Sequence, residues 1–424
     1  MSGRRRWSSR PLWALAATAV SLVVGCVGSP LGVATASAGP LPVTPGSGPL
    51  QPIGSGPHVP QGAQPIGQLP GSSGLTVDVV LQPRDPAALA TFAAEVSTPG
   101  SSLFRHFLAP GQFASVFGPT GSTVGAVEAS LRAAGLQPGP VSANHLSIPV
   151  HTTAAQLSQA FSTGFRTYAL PDGREVYSNT EAPSLPSSVA PLVQAIVGLD
   201  DVSLARPEDV PQSATASGVP NTAGGGLAPQ VAPQVVTGGP QPCSAAVNAS
   251  SGTGAYTADQ LASAYQFSSR YAAGDEGAGQ TIALFELASN STSDVAAYQS
   301  CFGTSASVSY TNVDGGSGAL SANSIEPTLD IEDVIGLAPK ASIDVYDGPN
   351  TGQGLYDTYS AIFNNDTSQV VSTSWGECES SLGSSLAASE NTLFQQAASQ
   401  GQSVLAAAGD DGSEACYGQT GSTA

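Results

Sequence analysis

Between residues 281 and 408 five short runs rich in apolar and β-branched residues alternate with helical patterns. The runs are Thr281–Phe285, Ser307–Val313, Ser342–Tyr346, Val370–Ser374 and Ser403–Ala408, and the helices start near Ser293, Pro327, Leu355 and Leu386. Parallel strands need a long crossover, and a helix supplies it, so this alternation predicts a parallel sheet covered by helices. In such sheets ligands meet the loops beyond the carboxyl ends of the strands. Glu286, Trp375 and Asp410 fall at such ends.

The chain of 424 residues has room for more than this one layer. Arg4, Arg5, Arg6 and Arg10 precede an apolar run from Pro11 to Val24, which predicts an export signal over residues 1–38 and not a membrane span. Two processing readings stay open. Ala36-Ser37-Ala38 suits ordinary secretion, the preferred reading, whereas Val23-Val24-Gly25-Cys26 resembles a lipoprotein box that would anchor the protein by lipid at Cys26. Residues 39–72, rich in Gly, Pro, Ser and Gln, read as a flexible linker. Residues 73–202 mix strands (Leu75–Leu81, His145–Val150, Thr167–Leu170) with helices (Ala87–Glu95, Thr123–Ala134, Ala154–Phe161), which predicts an α+β domain. Residues 203–250 are again low in complexity and read as a cleavable linker, and the alternating domain occupies 251–424.

The formal net charge is −19, and after residue 200 the only basic side chains are Arg206, Arg270 and Lys340. Nucleic acid and anionic membranes are therefore poor partners. Apart from Cys26 the cysteines are Cys243, Cys301, Cys378 and Cys416, an even number suited to an oxidising compartment. Three pairings are possible, and neighbours in sequence, Cys243–Cys301 and Cys378–Cys416, are the expected pairs. A zinc site is disfavoured, since no CxxC pair exists and no histidine follows His151.

The stretch SIEPTLDIED, residues 324–333, carries Glu326, Asp330, Glu332 and Asp333. Glu326 and Asp330 are four residues apart and share one face of a helix, and Pro327 puts Glu326 in or just before its first turn. Acids at a helix start also suit the helix dipole without doing chemistry, the reading kept for Glu332 and Asp333. Histidine supply weighs on the other side. His58, His106, His145 and His151 all precede the alternating domain, so a general base there has to be a carboxylate, and carboxylate chemistry favours acid.

These residues carry a resemblance. Phe104-Arg105-His106-Phe107-Leu108-Ala109-Pro110 with Phe117-Gly118-Pro119, Tyr256-Thr257 through Ala264-Tyr265-Gln266-Phe267, the run from Glu326 to Glu332, Val371-Ser372-Thr373-Ser374-Trp375-Gly376 and Ala408-Gly409-Asp410 resemble, in order and spacing, the sedolisin or serine-carboxyl peptidase family, close to its kumamolisin-like members. The resemblance implies a subtilisin-like α/β domain preceded by an α+β, ferredoxin-like activation prodomain that acts as an intramolecular inhibitor. It implies a secreted, acid-acting endopeptidase precursor with protein or peptide substrates. Glu326 would be the general base toward a serine, Asp330 its partner, Asp410 a protonated donor to the oxyanion, and Glu286 and Trp375 an extension of the hydrogen-bond network.

The sequence departs from the family at its end. A Gly-Thr-Ser segment with the nucleophile and a calcium-binding loop are expected after the oxyanion aspartate, and neither occurs before Ala424. Gly303-Thr304-Ser305 precedes Glu326 and reads as a loop. The catalytic domain is accordingly expected to be C-terminally truncated, without a cofactor of its own and inactive as given. The alternative is a noncatalytic secreted or lipid-anchored binding protein that retains the fold.

Overall fold

A computed structural model describes residues 48–54, 56, 59–60, 62–207, 235–253, 255–378 and 382–409. The first elements are strands β1 (Leu50–Pro52) and β2 (Gln64–Gln68), which lie inside the stretch that composition reads as a linker. Their backbone is satisfied by partners distant in sequence: β1 pairs with β7 (Ser184–Pro186) and β2 with β5 (Phe165–Ala169), both antiparallel. Backbone pairing, not side-chain pattern, orders them, since β2 is exposed throughout.

The N-terminal layer is built on β3 (Gly74–Leu81), flanked by β4 (Ser147–Thr153) and β8 (Val193–Val197) in the order β4-β3-β8. Helices α1 (Pro86–Ser97), α2 (Phe113–Val116), α3 (Gly121–Ala133) and α4 (Ala154–Phe161) complete it, with β6 (Glu175–Asn179) joining β2 and β5 in a second sheet. Helix α1 starts where Asp85 accepts from the Ala88 N–H at 3.0 Å and Pro86 takes the first helical position, where its missing N–H is harmless. Strand periodicity splits β3 into two faces. Val77, Val79 and Leu81 pack with Val127 and Leu131 of α3 and Leu157 and Phe161 of α4. Val80 and Asp78 face the other way, toward the C-terminal layer.

Among the described residues the principal sheet of this layer has three strands, and beside β4 lies an isolated bridge, Pro138 to Val150. Pro138 and Pro140 lack the N–H groups that a full ladder needs, so pairing stops there.

Beyond β9 (Arg206–Pro207) come α5 (Ser244–Thr253), α6 (Ala258–Ala264) and α7 (Ser268–Ala273). Strand β9 and most of helix α5 lie within the stretch read as a linker. The alternating region then follows: β10 (Thr281–Glu286), α8 (Thr292–Phe302), β11 (Ser307–Asn312), α9 (Ile325–Leu337), β12 (Ser342–Asp347), α10 (Gly352–Asn365), β13 (Val370–Thr373), β14 (Trp375–Gly376), α11 (Ser384–Gln400) and β15 (Ser403–Ala406). The five predicted strands form one sheet, ordered β11-β12-β10-β13-β15, and every neighbouring pair is parallel. On one face Leu284, Ile343 and Val345 pack with Val295 of α8 and Ile331 and Ile335 of α9. On the other, Ala283, Phe285 and Val371 pack with Tyr359 and Phe363 of α10 and Leu393 of α11. By the same alternation Glu286 falls on the α9 side of β10.

The two layers share a core: Val80, Leu89, Phe113, Phe117, Ala195 and Val197 join the cluster that holds Phe285, Tyr359 and Phe363. Polar bonds cross the contact as well. Gln353 Nε2 donates to Asp78 Oδ2 at 2.7 Å, Asn144 Nδ2 to Gln396 Oε1 at 2.9 Å, and the Leu108 N–H to the Ser399 carbonyl at 2.9 Å. A disulfide joins Cys243 to Cys301 and ties the start of α5 to α8. Cys378 is disulfide-bonded, and Cys416, its expected partner, lies outside the described residues, as do the signal region and Cys26.

Candidate active site

Helix α9 begins at the mouth of the sheet, led in by a short 3-10 turn over Ala322–Ser324. Pro327 sits in the first turn, where no N–H is required, and Ile331 and Ile335 anchor the helix to the sheet. That anchoring fixes the direction of the face four and five residues earlier. Glu326 is 3% exposed despite its charge, and Asp330 lies one turn further along the same face.

The carboxyl end of β10 meets this face. Glu286 is fully buried, and Trp375 Nε1 donates to its Oε2 at 2.8 Å. Burial pushes the Glu286 carboxyl well above its ordinary range; the Asp330 and Glu326 charges reinforce this, the Trp375 bond opposes it, and Glu286 hydrogen-bonds to Asp330. Burial therefore favours the protonated form of Glu286, which can donate to Asp330. Ser374 Oγ donates to Asp330 Oδ1 at 2.9 Å from the end of β13. A tryptophan, two acids and a serine form one chain of hydrogen bonds beneath Glu326. Glu332, by contrast, is half-buried away from this cluster and pushed up to about 7 by burial and then by Asp294.

A peptide segment of the chain itself lies beside Glu326. Strand β9 pairs antiparallel with β14, Trp375 opposite Pro207 and Gly376 opposite Arg206. Between this strand and the start of α9 is a cavity of ≈ 330 Å³, lined by Leu204, Arg206, Ala322, Asn323, Ile325 and Glu326 among others. The site is an open groove at the ends of parallel strands, which suits an extended ligand.

Of the residues singled out from sequence, the structure brings Glu326, Asp330, Glu286 and Trp375 together, and Asp410 lies outside the described residues. Sequence reasoning missed Ser374, which lies within the motif Val371–Gly376. It also missed Asn350, at the carboxyl end of β12, a position that the strand-end rule flags. Among the described residues no group of three or more His, Cys, Asp or Glu could hold a metal ion. The calcium implied by the resemblance therefore finds no cage among them. No helix among the described residues is long and apolar enough to cross a membrane.

A parallel α/β sheet thus carries clustered carboxylates at its strand ends, and no histidine occurs after residue 151 of the 424-residue sequence. Residues 61–202 match the family described as pro-kumamolisin, activation domain. The chain is similar to xanthomonalisin of Xanthomonas sp. (strain T-22), 30% identical over 358 residues that make up 80% of this chain and 39% of the relative. Kumamolisin of Bacillus sp. (strain MN-32) is 33% identical over 265 residues, 61% of this chain and 43% of the relative. Sedolisin of Pseudomonas sp. (strain 101) is 27% identical over 363 residues, 84% and 57%. The chain belongs to the sedolisin family. It spans between 39% and 57% of the length of these curated relatives.

Proposed function

We propose that this chain is the precursor portion of a secreted, acid-acting serine-carboxyl endopeptidase, carrying an inhibitory prodomain and the general-base half of the catalytic site. The observation that carries the reading is the Trp375–Glu286–Asp330 hydrogen-bond chain beneath buried Glu326, in a groove that a peptide strand already occupies. In this reading Glu326 takes the proton of a serine hydroxyl as it attacks a peptide carbonyl. Asp330 orients Glu326. Because Glu286 keeps its proton, the Glu286–Asp330 pair carries one negative charge and not two, which limits repulsion against Glu326 as it ionises. Asp410, protonated in acid, donates to the oxyanion.

Residues 73–202 serve as the prodomain and cover the face made by α10 and α11. Residues 203–250 carry the cleavage that frees the groove, and residues 1–38 direct export. No Gly-Thr-Ser segment follows Asp410 in the 424 residues, so the chain by itself lacks the serine that Glu326 would activate. The test uses the whole protein that contains this chain, matured in acid and offered denatured protein. It should hydrolyse the substrate, and Glu326→Gln should lower the rate by about 10²–10⁴-fold. The 424-residue chain alone should be inert. Full activity in the Glu326→Gln protein refutes the assignment of the base.

A further inference from the structure

The segment that lies along β14 is held by more than strand pairing. The Ala205 N–H donates to Asn350 Oδ1 at 3.0 Å, and Asn350 Nδ2 donates back to the Ala205 carbonyl at 2.8 Å. One amide side chain thus closes both main-chain groups of a single residue. Two positions earlier, the Ser203 hydroxyl donates to Glu377 Oε2, and the Leu204 N–H points at Glu377 Oε1 at 3.4 Å. Ala205 and Ser203 are 1% and 4% exposed, so these bonds form away from competing water.

The contacts separate by what they can read. Those of Asn350, and that of Glu377 with the Leu204 N–H, go to main chain and are open to any extended peptide. The bond from Glu377 to Ser203 reads a side chain. Gly352 lies next to that side chain, and a Cβ placed on it would stand in ordinary contact with Ser203 Cβ at 3.6 Å.

We propose that Asn350 and Glu377 form a peptide-reading clamp beside Glu326, in which Asn350 grips the main chain of any extended segment lying along Trp375–Gly376. Glu377 selects a hydroxyl-bearing residue two positions before the one that Asn350 holds. The ligand is a substrate peptide, an identity that rests on the peptidase reading, and the prodomain's own Ser203-Leu204-Ala205 occupies the clamp until it is displaced. Asn350 and Glu377 are positioning and specificity residues and take no part in bond breaking.

The test is a binding measurement on the full chain carrying Ala205→Pro, which removes the N–H that Asn350 accepts and so frees the groove. Fluorescence anisotropy follows two labelled peptides, Val-Ser-Leu-Ala-Arg-Pro and Val-Ala-Leu-Ala-Arg-Pro. The serine peptide should bind about ten- to a hundredfold more tightly, the worth of a hydrogen bond to a carboxylate. Glu377→Ala should erase that preference, and Asn350→Leu should weaken both peptides. Should Ala205→Pro fail to fold, the peptides compete with the chain's own strand in the otherwise unaltered protein cut within residues 208–234. Equal affinity for the two peptides, binding unaffected by Asn350→Leu, or no binding of either peptide overturns the clamp. Failure of the hydrolysis test with selective binding preserved counts against the base and not the clamp.

Discussion

Glu390, on α11, is 8% exposed, and its Oε1 accepts no hydrogen bond from the described residues. Burial first, and then the Glu377 carboxylate, raise its pKa from 4.5 to about 8; Tyr359 of α10 also faces it. Below pH 4.5 the group is protonated whether the chain is folded or unfolded, and it contributes no pH dependence. Between 4.5 and about 8 the folded chain keeps a proton that the unfolded chain releases, so stability falls as pH rises through this window and levels off above it. At about 1.4 kcal/mol per pH unit the shift sets a ceiling of about 5 kcal/mol. Relaxation and water entry around the ionised carboxylate reduce this to about 2–4 kcal/mol. Glu390→Gln keeps the shape and removes the titration. Urea unfolding of both proteins should give equal stabilities in acid and, at alkaline pH, an advantage of about 2–4 kcal/mol for the glutamine variant. A constant offset between the two curves at every pH would refute the reasoning.

Asp78 and Asp357 meet across the contact between the layers, with Gln353 on Asp78 and with Asp314, His151 and Tyr356 facing the pair; burial raises both carboxyls, that of Asp357 well above its ordinary range. In a chain cut within residues 208–234, the N-terminal layer should therefore hold most tightly in acid and separate more readily as pH rises, measured by gel filtration, and Asp357→Asn should flatten that dependence. Gly401 ends α11 at φ +83°, and an added Cβ would meet the Phe107 ring at 2.6 Å, so Gly401→Ala should lose about 1–3 kcal/mol in urea unfolding. Cys243→Ser together with Cys301→Ser opens a loop with a sequence separation of 58 and should lose about 4 kcal/mol of stability by the same assay.

The parallel sheet was legible because its strands are short apolar runs set between helices, a pattern that survives without knowledge of partners. Glu326 and Asp330 were legible for a local reason as well, since a four-residue spacing fixes a shared helix face. What escaped notice is non-local. Strand β2 reads as a linker because Gln64–Gln68 has no apolar alternation and contains Pro65; its order comes from pairing with β5, far along the chain. The bridge of Pro138 to Val150 is likewise non-local, visible only once β4 is in place. Asn350 and Ser203 look ordinary in sequence. Their partners, Ala205 and Glu377, lie 145 and 174 residues away.

The scarcity of cations links the site to the rest of the fold. Ion pairs between described residues join Arg132 to Glu128, Arg174 to Asp172, Arg270 to Asp275 and Lys340 to Glu276, each within one layer, and none of these four crosses the contact between them. A buried carboxylate without a cation must find a neutral donor or keep its own proton. Burial favours the protonated form of Glu286 near Glu326, and likewise that of Asp357 at the contact with β3. Asp200, next to the segment that fills the groove, is raised to about 6 by burial and by Asp201 and Glu377. The site and the surface that covers it are therefore built on the same device, protonated acids, and both are most stable on the acid side. Acid alone should tighten the cover and not loosen it, so freeing the groove falls to cleavage of the connecting segment and not to loss of a salt bridge.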